Sequence, residues 1–149
     1  MKSTDLPDIE KKVKIIYKPC FIERTGDSVE IMRIVRDEEL TRIDFVHHAY
    51  PGYTNGGWVS IEPETYIRPV GTGIKLTMVQ VVNIPIATRR HFYKNDRQSL
   101  YYTLYFPPLP EDAEAIDIIE KEVVRPHNFF NFYGVSLERI ATAPLIAPN

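Results

Sequence analysis

Cysteine is almost missing from this chain: Cys20 is the single one among 149 residues. No internal disulfide can form, and no CxxC pair exists for thiol chemistry or for half of a zinc site. A surplus of one charge is also missing. Eighteen Lys and Arg face 20 Asp and Glu, for a formal net charge of -2. Such a balance gives no general attraction to phosphate backbones, so nucleic acid is not expected as a partner. Long hydrophobic runs are absent too. No stretch approaches the roughly 20 apolar residues of a membrane helix, so no membrane-spanning segment is expected. The opening MKSTDLPDIEKK lacks the apolar core of an export signal. A chain trimmed of such a signal would read the same way. Short catalytic signatures are missing as well. There is no GxSxG around a serine, and GTG at 71–73 lacks the lysine-serine end of a phosphate loop.

Proline and tyrosine are plentiful. Twelve prolines rule out long helices, and nine tyrosines dominate the aromatic content. The length suits one domain with a sizeable core. Residues 1–12 read as a flexible leader, 13–140 as a single domain and 141–149 as a tail.

Period-two patterns recur between turn residues. VKIIY (13–17) is a first strand, stopped by Pro19. The cluster TGDS (25–28) is a turn, and SVEIMRIV (28–35) follows it. In TRIDFVHHAY (41–50), Ile43, Phe45 and His47 share one face, while Asp44, Val46 and His48 share the other. PGYTNGG (51–57) is the strongest break. After it, Val59 and Ile61 alternate with Trp58 and Ser60. IKLTMVQVV (74–82) reads as one strand, with Ile74, Leu76, Met78 and Gln80 on a face. SLYYTLYF (99–106) sets Leu100, Tyr102, Leu104 and Phe106 against Tyr101, Thr103 and Tyr105, and Pro107 and Pro108 end it. EDAEAIDIIEKE (111–122) fits a helical turn or an outer strand. In FFNFYGVSL (129–137), Tyr133, Val135 and Leu137 alternate with Phe132, Gly134 and Ser136. The whole predicts an all-β, two-sheet antiparallel sandwich, immunoglobulin-like, with at most a short helix.

Several of these stretches carry a resemblance. Trp58, Ile61, Pro63, Thr65 and Tyr66 come first. Leu104, Phe106, Pro107, Pro108, Leu109 and Pro110 follow, then Ile116, Asp117, Ile119 and Glu120, and finally Tyr133, Gly134 and Leu137. Across most of residues 41–137 the chain resembles an uncharacterised β-sandwich domain of Bacteroides-type exported proteins. That domain often lies N-terminal to a thioredoxin-like domain of the thiol:disulfide interchange group. The resemblance implies a sandwich fold and a periplasmic or extracellular setting, reached with an export signal since removed. It brings no catalytic residues, and without CxxC the neighbour's redox chemistry is not implied.

Candidate sites follow from residue chemistry. Cys20 lacks the positive or helix-terminal setting of a reactive thiolate and is expected to be buried and inert. His47 and His48 are adjacent, so a strand points them apart, and only convergence with His91 or His127 would build a metal site. No metal and no cofactor is expected. Asp44, Glu62, Glu64, Asp117 and Glu120 are expected at the surface or bonded to turn amides, not as a catalytic pair. Arg89, Arg90, Lys94 and Arg97 form a basic patch interleaved with Phe92 and Tyr93. Acids at Asp37, Glu38, Glu39, Glu111, Asp112 and Glu114 are expected to answer it through local salt links, or a protein partner is. Tyr101 and Tyr105 form an outward face suited to contact. Tyr53, Trp58 and Tyr66 are candidates for stacking on sugar rings.

These readings favour a non-enzymatic domain for protein contact or self-association in the bacterial cell envelope. A small carbohydrate-binding module is the alternative, and a metal-dependent or hydrolytic enzyme is a further one.

Overall fold

Turn residues cut the chain into short extended pieces, and the computed structural model describes residues 13–122 and 129–138. Among them are twelve strands and a single 3-10 turn at Thr54–Gly56. The leader and the tail lie outside the described residues.

Sheet 1 contains β1 (Lys14–Tyr17), β3 (Val29–Arg36), β4 (Thr41–His48), β10 (Ser99–Phe106) and β8 (Gln80–Val82), in that spatial order. Sheet 2 contains β2 (Glu23–Thr25), β12 (Asn131–Ser136), β11 (Ala115–Ile119), β6 (Tyr66–Pro69) and β7 (Leu76–Thr77). All neighbours in the two sheets are antiparallel. A small ribbon pairs β5 (Trp58–Val59) with β9 (His91–Phe92). The two sheets pack as a sandwich, as the alternation predicts. Ile34, Ile43, Phe45, Leu104 and Phe106 of sheet 1 are buried with Ile67, Ile116, Ile118, Phe132 and Val135 of sheet 2. Phe45 is stacked on Tyr102 at 5.2 Å and meets Phe130, just before β12, at 5.2 Å. The apolar face of β10 is therefore core, and the ambiguous 111–122 segment supplies a strand.

Strands β1 and β8 bound sheet 1, and β2 and β7 bound sheet 2, so the chain crosses between sheets at both edges. This corrects the single strand expected over 74–82. The Met78 N–H donates to Thr65 O in sheet 2, at 2.8 Å, and the next N–H, of Val79, donates to Tyr105 O in sheet 1, at 2.8 Å. The shared face expected for Ile74, Leu76, Met78 and Gln80 is corrected with it: Leu76 and Met78 pack on the core, Ile74 and Gln80 are exposed, and Val81 is the next residue inward, because the backbone turns as it changes sheets.

The other crossing corrects the expectation for Cys20, which is exposed. Pro19 is buried on one side of it, and Phe21 packs edge-on against Phe132 at 5.2 Å on the other. The Cys20 carbonyl accepts the Ser136 N–H at 2.8 Å. With Pro19 buried and Phe21 laid against sheet 2, Cys20 is left at the surface. It should react with Ellman's reagent in the native chain; a reaction that begins only in denaturant would contradict this placement.

The alternation expected in β12 is also corrected. Phe132, Val135 and Leu137 are all buried. Between the Ile116↔Val135 and Ile118↔Phe132 pairs, three steps along β12 match two along β11. Gly134 takes up the extra residue with φ 65°, as bulges of this type require. A Cβ there would come within 2.6 Å of Ile22 Cδ1. The Asp117 carboxylate accepts the Gly134 N–H at 3.0 Å, which holds the bulge.

The proline run ending β10 is fastened from sheet 1. The buried Arg36 guanidinium donates to Pro110 O at 2.8 Å and to Ala113 O at 3.0 Å. The Thr41 hydroxyl donates to Pro107 O at 3.0 Å.

Candidate contact surfaces

Register assembles the first surface, on the outer face of sheet 1. One row of paired residues runs Tyr17, Arg33, Asp44, Thr103, Val82 across all five strands. Its middle is polar and self-contained. The Asp44 carboxylate accepts from Arg33 Nε, from Arg42 Nε at 3.0 Å and from the Thr103 hydroxyl at 2.6 Å. Burial pushes its pKa up, but those three donors prevail and hold it below the ordinary value. The ends of the row are apolar and exposed. Tyr17 is 65% exposed, and Tyr101, beside the row on β10, is 62% exposed. Together with Met32 and Val82 they wall a groove of about 570 Å³. Tyr101 faces outward as expected. Tyr105 lies on the same face but is half-buried, in the row Ile15, Val35, Arg42, Tyr105, Gln80.

The second surface lies where the β5–β9 ribbon meets the loop before it. Pairing sets Phe92 opposite Trp58. Tyr53, Thr54, Asn55, Trp58, Phe92 and Tyr93 line a cleft of about 470 Å³. Tyr53 is 60% exposed, Trp58 39% and Phe92 63%. Beneath them lies a buried network around His47. Its Nδ1 is 2.8 Å from the Tyr93 hydroxyl, its Nε2 is 3.2 Å from the Tyr50 hydroxyl, and the Tyr93 hydroxyl is 3.1 Å from His47 O. One assignment satisfies all three contacts: Tyr50 donates to Nε2, Nδ1–H donates to Tyr93, and Tyr93 donates to the backbone oxygen. Burial keeps this imidazole neutral, with its pKa pushed down to about 4. His48 faces the opposite way, with Glu30 and Ser99 each at 2.8 Å.

Other candidates fall apart in space. Tyr66 is not part of a sugar platform. It is 7% exposed in sheet 2, its hydroxyl bonded to Glu122 and its ring under the Lys75 ammonium at 4.7 Å. The buried Glu120 carboxylate accepts the Phe130 N–H at 3.0 Å and the Glu62 N–H at 3.2 Å, and burial pushes its pKa up to about 7. Glu62 and Glu64 instead approach the Lys121 ammonium, at 3.6 and 3.9 Å. Asp117 pairs with Arg68 at 3.0 Å. The expected salt links of the basic patch do not form among the described residues: Arg89, Arg90, Lys94 and Arg97 are exposed, and none pairs with an acid. The acids that were to answer them lie mainly in the 37–39 and 111–114 turns, near the opposite ends of β4 and β10. His127 lies outside the described residues. Among the described residues no group of three or more His, Cys, Asp or Glu is placed to hold a metal ion, and no helix is long and apolar enough to cross a membrane.

Tyr17 and Val82 were not among the expected contact residues, and Phe92 was expected only as part of the basic patch. Comparison with family models, with curated proteins and with solved structures returns no significant match for this chain.

Proposed function

We propose that this chain is a non-enzymatic sandwich domain that mediates protein contact, assembling with a second copy through the outer face of sheet 1. The observation that carries this reading is the groove between Tyr17 and Tyr101. On its floor Arg33, Arg42 and Thr103 all hydrogen-bond to Asp44, so the polar groups at the centre already have partners within the sheet. Tyrosine supplies large contact area at low ordering cost, and Met32 adapts its shape to a partner. The rings stand on or beside paired strands, which reduces the entropy lost on docking.

The interior supports a non-catalytic reading. His47 and Glu120 are the groups with the most catalytic-looking shifts, and both are engaged in holding neighbouring side chains or backbone in place. The resemblance of residues 41–137 to exported domains supports an envelope setting. Carbohydrate binding is a second reading, supported by the three exposed rings of the cleft.

Light scattering over a concentration series tests the assembly. The mass should rise from 17.3 kDa toward twice that value. Tyr101→Ser should weaken association about tenfold or more, as loss of an aromatic anchor does. A mass that stays monomeric throughout the series would reject the proposal.

A further inference from the structure

Four cations crowd the connection that carries Phe92. Arg89, Arg90, Lys94 and Arg97 are all exposed, and Asp96 is the one acid between Arg89 and Arg97. None of the four cations is ion-paired among the described residues. This local surplus sits on a chain whose formal net charge is -2. Its position is specific: the Arg90 guanidinium lies 4.1 Å from the centroid of the Trp58 ring, on the rim of the aromatic cleft.

The cleft itself is built in advance. Asn55, Gly56 and Gly57 all have positive φ. A Cβ on Gly56 would come within 2.6 Å of Asn95 O, and one on Gly57 within 2.9 Å of the Tyr50 ring. The loop is thus pressed onto the body of the sandwich, and Tyr93 N–H donates to Gly57 O at 3.0 Å. Tyr53 packs one side against Tyr50 at 5.1 Å, and Trp58 has Arg90 over its ring. Tyr53 and Trp58 therefore each have one face covered and one open, and Phe92 stands opposite Trp58 through the strand pairing. At the edge, the Thr54 hydroxyl and the Asn55 amide form no hydrogen bond within the described residues. The volume of about 470 Å³ suits a small ligand.

Three requirements follow for an occupant. It needs an apolar C–H face for the rings, hydroxyl edges for Thr54 and Asn55, and negative charge for the rim. We propose that this cleft binds an acidic saccharide, stacked on Tyr53 and Phe92, with a carboxylate or sulfate held by Arg90. A pyranose presents its C–H groups on one side and its polar groups at the edge, matching the single open faces and the free Thr54 and Asn55 groups. A strand of nucleic acid also brings rings and charge, but its bases offer π-faces on both sides. The cleft shares no lining residue with the sheet 1 groove, so it is independent of the proposed assembly.

Trp58 is the only tryptophan, so its emission reports on this cleft. The intact chain is titrated with a galacturonate trimer, with a chondroitin sulfate tetrasaccharide, with the methyl-esterified galacturonate trimer and with a thymidylate trimer. At least one acidic saccharide should give a saturable change at millimolar concentration or below. The neutral ester should bind about tenfold more weakly, and Arg90→Ala should weaken acidic-saccharide binding by a similar factor. Phe92→Ala should weaken binding too, with the thermal midpoints of both variants unchanged. No saturable change with either acidic saccharide overturns the proposal. So does equal affinity for the ester, or unchanged affinity in Arg90→Ala. Tighter binding of the thymidylate trimer would overturn it in favour of nucleic acid.

Discussion

Phe45→Ala should lower the stability of the folded chain by about 3–5 kcal/mol, the cost of removing a large ring from a closed core. Phe45 is fully buried at the centre of sheet 1 and reaches across the sandwich. It stacks on Tyr102 within its own sheet and meets Phe130, beside sheet 2. The ring is closed in by residues that are themselves buried, Tyr102 and Phe130 among them, so its removal leaves a cavity in the packed core. For a chain of this size the melting temperature should fall by roughly 10 °C. Tyr101→Ser, on the outer face of the same sheet, should change stability by less than about 0.5 kcal/mol. Urea unfolding of the two variants checks both. A Phe45→Ala loss below about 1 kcal/mol would mean that this ring does not bridge the layers.

Glu120→Gln should turn a nearly flat pH dependence of stability into a rising one. The reason is a cancellation between two buried groups. Burial, helped by the charges of His48 and His91, pushes the His47 pKa from 6.5 down to about 4. The unfolded chain then binds that proton more tightly than the folded one. The His47 contribution is full above about pH 6.5 and is lost as pH falls toward 4. Burial pushes Glu120 the other way, from 4.5 up to about 7, with Glu62 and Glu64 adding to the rise and two backbone N–H donors opposing it. Here the folded chain holds the proton more tightly. The Glu120 contribution is full below about pH 4.5 and is lost as pH rises through 7. Each is worth about 3 kcal/mol, and over the shared window their slopes oppose. Asp44, held low by its donors, acts at more acidic pH and leaves the window alone. Unfolding free energies measured from pH 4.5 to 7 should therefore change little in the parent chain, rise with pH in Glu120→Gln and fall with pH in His47→Gln. A Glu120→Gln slope identical to that of the parent would remove Glu120 from the account.

The parts of the fold that were legible in the residues share a cause. Ile43, Phe45 and His47, or Tyr102, Leu104 and Phe106, lie on the inward faces of long strands, and burial there writes a period of two. Pattern failed where the backbone departs from that period. Gly134 slips the register and turns both Phe132 and Val135 inward. Between Met78 and Val79 the chain changes sheets, and the inward face passes from Leu76 and Met78 to Val81. The surfaces were half-legible for a similar reason. Tyr53 and Trp58 are close in sequence, so their proximity in space was expected, whereas Phe92 joins them only through the β5–β9 pairing. Tyr101 could be placed outward from its own strand. Tyr17 and Val82 reach the same row through four strand pairings, and no local pattern encodes them. Tyr66 shows the converse: nearness to Trp58 in sequence did not bring it to the cleft, because β6 carries it into sheet 2.

Tyrosine nitration, mapped residue by residue at low and high protein concentration, tests the contact proposal most directly. Tyr17 and Tyr101 should lose reactivity as concentration rises, because assembly covers the outer face of sheet 1. Tyr53, exposed in the cleft, should react equally at both concentrations and serves as the internal control. Unchanged reactivity of Tyr17 and Tyr101 across the whole range would contradict the account.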